Sequence, residues 1–132
     1  MKIKILSVAE QSDKLIVEFE CQAGKGLARW RSSPCRIIKG QDISIELDIR
    51  ANIVLGVNAS YSEELSPLIT IEDNGVISMR LVVESQDEDG LAYCRLSSDC
   101  LIMVESDGCL LLDIGRSINL TLQSYELELT VI

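Results

Sequence analysis

Hydrophobic and polar residues alternate along most of this chain, and the three-to-four-residue spacing of an amphipathic helix is found almost nowhere. The run Ile43-Ser44-Ile45-Glu46-Leu47-Asp48-Ile49 alternates without an error, apolar inward and polar outward. Lys2-Ile3-Lys4-Ile5 starts a strand. Leu15, Val17, Phe19 and Cys21 alternate with Ile16, Glu18 and Glu20, so the intervening Gln11-Ser12-Asp13 predicts a hairpin. Gly24 and Gly26 are expected to bracket a turn or bulge leading into Leu27 to Arg31, and Pro34 interrupts any continuing ladder. Residues 51–58 predict another short strand. Residues 59–67, with two adjacent acids before Ser66-Pro67, predict a long connection with room for one helical turn at most.

The second half reads as a meander with a turn signal at each corner. Asn74-Gly75 joins strands 68–73 and 76–85, and Asp87-Glu88-Asp89-Gly90 leads into 91–97. Ser106-Asp107-Gly108 joins 100–105 to 109–114, and Gly115-Arg116 opens 117–123. In the last strand, Tyr125, Leu127, Leu129 and Val131 are expected to face inward, and Glu126, Glu128 and Thr130 to face water. About nine to eleven short strands in one domain predict an all-β, antiparallel, barrel-like sandwich. Its halves, 1–58 and 68–132, are joined by the connection 59–67. The order of hairpin, Gly-rich bend and further long strand resembles the five-stranded oligonucleotide/oligosaccharide-binding barrel in order and length.

The halves also echo one another. Gly26-Leu-Ala-Arg-Trp-Arg-Ser-Ser-Pro-Cys35 is loosely repeated by Gly90-Leu-Ala-Tyr-Cys-Arg-Leu-Ser-Ser-Asp-Cys100. At a constant offset Cys35, Ile37, Asp42, Leu47, Asp48 and Ile49 then align with Cys100, Ile102, Asp107, Leu112, Asp113 and Ile114. A duplication would relate two β-meanders by a pseudo-twofold axis. Common residues in two alternating meanders give much of this agreement by themselves.

Composition narrows the chemistry. With 132 residues, 47% of them hydrophobic and mostly Ile, Leu and Val, the chain can bury a core without disulfides or a metal. Aromatics are 4%, a poor supply for stacking bases or sugar rings. There is no histidine, so Ser-His-Asp and Cys-His constellations are ruled out, and no phosphate-binding Gly-rich motif is present. No enzyme activity and no cofactor is expected. The five cysteines (Cys21, Cys35, Cys94, Cys100, Cys109) contain no Cys-x-x-Cys pair and read as reduced, buried thiols rather than metal ligands. Glu10 and Asp13 cut short the first apolar run, and nowhere do roughly eighteen apolar residues run together, so a cytoplasmic chain with no membrane span is expected.

Charge changes the picture most. Residues 1–62 carry nine basic and seven acidic side chains, net +2, and residues 63–132 carry three basic and fourteen acidic, net −11, which together give the chain's −9. Five of the twelve basic residues (Lys25, Arg29, Arg31, Arg36, Lys39) and the lone tryptophan, Trp30, fall within Gly24–Lys39, a stretch with no carboxylate. Such a field repels nucleic acid and steers a basic partner. Glu63 and Glu64, and Glu84 with Asp87, Glu88 and Asp89, are the carboxylates expected to cover the cationic surface of a toxin-like or nuclease-like protein, as immunity proteins and antitoxins do. Alternatively Arg29, Trp30 and Arg31 anchor an acidic partner or an anionic ligand, since Trp and Arg are favoured at interface centres. On a strand the two arginines share one face and the indole takes the other. A homodimer remains open.

Overall fold

Strand formation follows the alternation closely. The computed structural model describes residues 1–31, 37–107 and 110–132, so Pro34, Cys35, Arg36, Gly108 and Cys109 lie outside the described residues. The strands are β1 (Lys2–Gln11), β2 (Lys14–Cys21), β3 (Gly24–Trp30), β4 (Asp42–Ile49), β5 (Ala59–Ser62), β6 (Leu68–Ile71), β7 (Ile77–Gln86), β8 (Leu91–Ser97), β9 (Cys100–Glu105), β10 (Ser117–Leu122) and β11 (Leu127–Val131). Among the described residues the helical content is one 3-10 turn, Ser124–Glu126, and no helix is long and apolar enough to cross a membrane.

Five strands close on themselves. β1 pairs antiparallel with β2, β2 with β3, β4 with β1 and β11 with β4, and a parallel pairing of β3 with β11 shuts the ring. The barrel thereby has the strand number expected from the resemblance noted above. Ser12 and Asp13, both at positive φ, make the tight β1–β2 turn whose twist suits a hairpin. Inside the ring Ile3, Ile5, Val17, Phe19, Ala28, Ile45, Leu47 and Leu129 are buried.

The remaining strands are joined to the barrel through the β3–β6 pairing and continue it as a second sheet region around β7. One edge of β7 pairs first with β6 and then with β8, the other with β10, which in turn pairs with β5; β9 follows outside β8. β10 therefore returns to the far edge of β7 instead of continuing the meander past β9. The inward residues Ile69, Ile77, Met79, Leu81, Val83, Cys94, Ile102 and Leu120 are continuous with the barrel interior in one hydrophobic cluster.

The seam between barrel and sheet explains the two glycines of β3. They lie within the strand, not around a turn before it. Gly24 pairs in parallel with Ile69 of β6, and at its φ of 137° a Cβ would overlap the Ile69 carbonyl oxygen. At Gly26 a Cβ would come within 2.8 Å of the Phe19 ring and 2.7 Å of the Ile69 side chain. At Gly24 only a residue without a side chain lets the two backbones approach this closely, and at Gly26 the missing side chain leaves room for those of Phe19 and Ile69.

Several expected elements are replaced by side-chain hydrogen bonds. Residues 51–58 form only isolated bridges, Ile53 with Ser106 and Leu55 with Ala59. Asn58 takes the place of a strand partner there: its Oδ1 accepts from Val54 N at 2.9 Å and its Nδ2 donates to Asn52 O at 2.8 Å. The strand moves on to Ala59–Ser62, inside the expected connection. Described residues 110–114 form no strand either, because the Gln86 amide stands in for one, donating to Leu110 O at 2.9 Å and accepting from Leu112 N at 2.9 Å. The constant-offset echo consequently sets strand β4 against a non-strand segment and relates unlike elements. Tyr125 lies in the 3-10 turn and is exposed, not inward. There Glu126 Oε1 accepts from Gln123 N at 2.9 Å and delays the last strand to Leu127.

Candidate functional site

The expected contact residues fall into two regions with different construction. The first is one end of the second sheet. Ser62 of β5, Ser117 of β10 and Val82 of β7 lie in one row. Both outer strands run antiparallel to β10, so β5 and β7 leave that row in the same direction. Glu63 and Glu64 follow one strand out, and Glu84 and then Asp87, Glu88 and Asp89 follow the other.

These carboxylates are not equivalent. Glu84 is the extra residue of a bulge between Val83 and Ser85, which aims it outward against Arg95 of β8, with Nε–Oε2 at 2.8 Å and Nη2–Oε1 at 3.1 Å. The hydrogen bond from Arg95 holds its carboxyl below the usual range. Asp87 is occupied by the turn itself, its Oδ1 accepting from the backbone N–H of Asp89 and Leu91, each at 2.9 Å. Glu63, Glu64, Glu88 and Asp89 are exposed, and their carboxylates have no partner among the described residues. Arg116 lies nearby on the β10 side, stacked 4.1 Å above the Tyr61 ring and 3.4 Å from Asp113.

The second region is on the outer wall of the barrel. Ile16, Arg29, Glu128 and Asp48 form a row across β2, β3, β11 and β4. Glu128 points outward by register yet is only 4% exposed, because arginines cover it. Arg31 Nη1 lies 3.3 Å from Oε1, and Arg50 Nε lies 2.8 Å from Oε2. The arginine side chains are themselves 49% and 59% exposed. Burial pushes the Glu128 carboxyl up, but the hydrogen bond from Arg50 and the charges of Arg50, Arg31 and Arg29 outweigh it, so the group titrates below its ordinary range. Arg50 is raised in turn, chiefly by that hydrogen bond.

Trp30 belongs to neither surface. It is 7% exposed and part of the hydrophobic cluster: strand alternation turns the indole inward while Arg29 and Arg31 face out. Its Nε1 has no hydrogen-bond partner among the described residues. Glu128 and Arg50 were not anticipated from the sequence. Glu128 sits at a regular polar position of an alternating strand, and its burial arises only where β11 closes the ring beside β3.

The thiols among the described residues, Cys21, Cys94 and Cys100, are poor candidates for chemistry. Burial pushes Cys94 up to about 12 and Cys100 up to about 11, and burial also raises Cys21, so thiolates are scarce at neutral pH. Among the described residues no group of three or more Cys, Asp or Glu is arranged to hold a metal ion. The chain matches no family model, no curated protein and no solved structure.

Proposed function

We propose that the chain is a bacterial, cytoplasmic binding protein of the immunity-protein or antitoxin type, which neutralises a basic, toxin-like or nuclease-like protein by occluding its active surface. The observation that supports this reading is that β5 and β7 leave the Ser62–Ser117–Val82 row in the same direction, carrying Glu63 and Glu64 on one and Glu88 and Asp89 past the end of the other, all exposed and with no hydrogen bond or ion pair to their carboxylates among the described residues. Carboxylates already matched by arginines inside the molecule contribute little to a partner's cation, whereas these four keep their full field. A chain without histidine acts here by contact and not by catalysis.

The test is association kinetics with a partner recovered by pull-down and identified by mass spectrometry. Changing Glu63, Glu64, Glu88 and Asp89 to Lys should slow association about ten- to hundredfold at low salt, with the difference shrinking as salt is added. An association rate unmoved by these changes would sink the proposal.

A second reading has its own support. The barrel-wall arginines serve an anionic ligand or an acidic partner, with Arg29 and Arg31 of the Gly24–Lys39 island gathered beside Arg50 on the Glu128 carboxylate. In that case Arg29→Ala and Arg31→Ala abolish binding and the acidic changes leave it intact.

A further inference from the structure

Beside the arginine cluster, between the end of β4 and the β8–β9 pair, lies a cleft of about 350 Å³ lined in part by Asp48, Ile49, Arg50, Leu91, Met103 and Glu105. This size lies at the lower end of the range of small-molecule sites, about 300–1,000 Å³. The lining combines one guanidinium, two carboxylates, the Asn52 amide, and apolar residues Ile49, Ala51, Leu91 and Met103. Met103 is 49% exposed, an apolar side chain left facing solvent beside this cleft. Arg50 is tethered through Nε to the buried Glu128 carboxylate, and its two Nη atoms have no partner among the described residues.

Each simple ligand class leaves part of this lining unmatched. A plain anion on Arg50 would meet Asp48 and Glu105; a plain cation would meet the arginine; a hydrocarbon would strip water from all three charges. A zwitterion with an apolar body matches both signs of charge and the apolar residues together. We propose that the cleft binds a free α-amino acid with an apolar side chain. Its carboxylate is received by the free Nη donors of Arg50, its ammonium by Asp48 or Glu105, and its side chain lies along Ile49, Leu91 and Met103. Glu128 is a positioning residue, fixing the guanidinium through the Nε bond so that the two Nη atoms remain for the ligand. The cleft borders the Asp87–Gly90 turn, since Leu91 donates its backbone N–H to Asp87 Oδ1, but the variants that test it, at Arg50 and Met103, leave Glu63, Glu64, Glu88 and Asp89 in place.

Isothermal titration with L-phenylalanine, 3-phenylpropionate and phenethylamine tests this directly, because the two analogues each lack one charge of the zwitterion. The expected result is saturable binding of phenylalanine, with each analogue weaker by about tenfold or more. Arg50→Gln should abolish binding. Met103→Arg, at a half-exposed side chain, should do so with the melting temperature kept, which separates loss of the site from loss of the fold. Absence of saturable binding to the native protein, equal binding of all three compounds, or undiminished binding by the Met103→Arg protein would each overturn the proposal.

Discussion

The acidic sheet end and the arginine wall of the barrel are both charged surfaces, but they are held in place by different physics. The acidic carboxylates come from two short sequence runs, Glu63-Glu64 and Asp87-Glu88-Asp89, stand in water, and act through a long-range field that salt screens within about 10 Å at ordinary ionic strength. The arginine wall draws Arg29, Arg31, Arg50 and Glu128 from separate segments onto one carboxylate that is only 4% exposed, where direction and distance matter and screening is weak. A surface of the first kind tolerates substitution and governs approach. One of the second kind depends on the barrel being closed, and it can hold a group in a fixed orientation.

Both surfaces depend on the seam that fixes barrel and sheet together, so the largest effect should come from breaking it. Gly24→Val places a β-branched side chain at a φ of 137° and onto the Ile69 carbonyl. The expected loss is about 3 kcal/mol or more by urea denaturation, with the two surfaces no longer in one rigid body. A variant as stable as the native chain would mean that the close approach of β3 and β6 is not needed.

The next largest effect should come from Glu128→Gln, which leaves Arg31 and Arg50 facing a neutral amide. A loss of about 1–3 kcal/mol is expected, little changed by salt. Because the Glu128 carboxyl is held below its ordinary value of 4.5, its contribution is complete above that value and is lost as pH falls through the lower folded-state value. The gap between native and Glu128→Gln stabilities should therefore be full at neutral pH and close in acid, as denaturation curves at a series of pH values would reveal. A gap independent of pH would contradict the charged pairing.

The smallest effect should come from the exposed pair at the sheet end. Glu84→Ala removes two hydrogen bonds to Arg95, yet both side chains are partly in water, 42% and 32% exposed. A double-mutant cycle with Arg95→Ala should return a small coupling at low salt and a smaller one at high salt. A coupling as large as that of Glu128 would erase the contrast between the two regions.

Strand identity is a local matter, and the sequence by itself determined it where the alternation was strict. Asp42–Ile49 appears almost as read because a two-residue period commits each side chain to one face whatever the strand's neighbours, and Leu91–Ser97, Cys100–Glu105 and the Asn74-Gly75 hairpin appear because turn signals bound them. The same alternation placed Trp30 opposite Arg29 and Arg31, and the run of acids showed where negative charge would accumulate. Tertiary structure alone decided which strands pair and which polar residues lose contact with water. No local signal marks Asn58 and Gln86 as substitutes for strand partners, since an amide side chain reads as any polar loop residue until a backbone N–H and C=O come within its reach. Nor does any mark Glu128, whose polar position in a regular strand is indistinguishable from that of Glu126 or Thr130. It becomes the anchor of the arginine wall only because β11 returns across the chain to lie between β3 and β4, and that closure is set by long-range packing that no short stretch of sequence encodes.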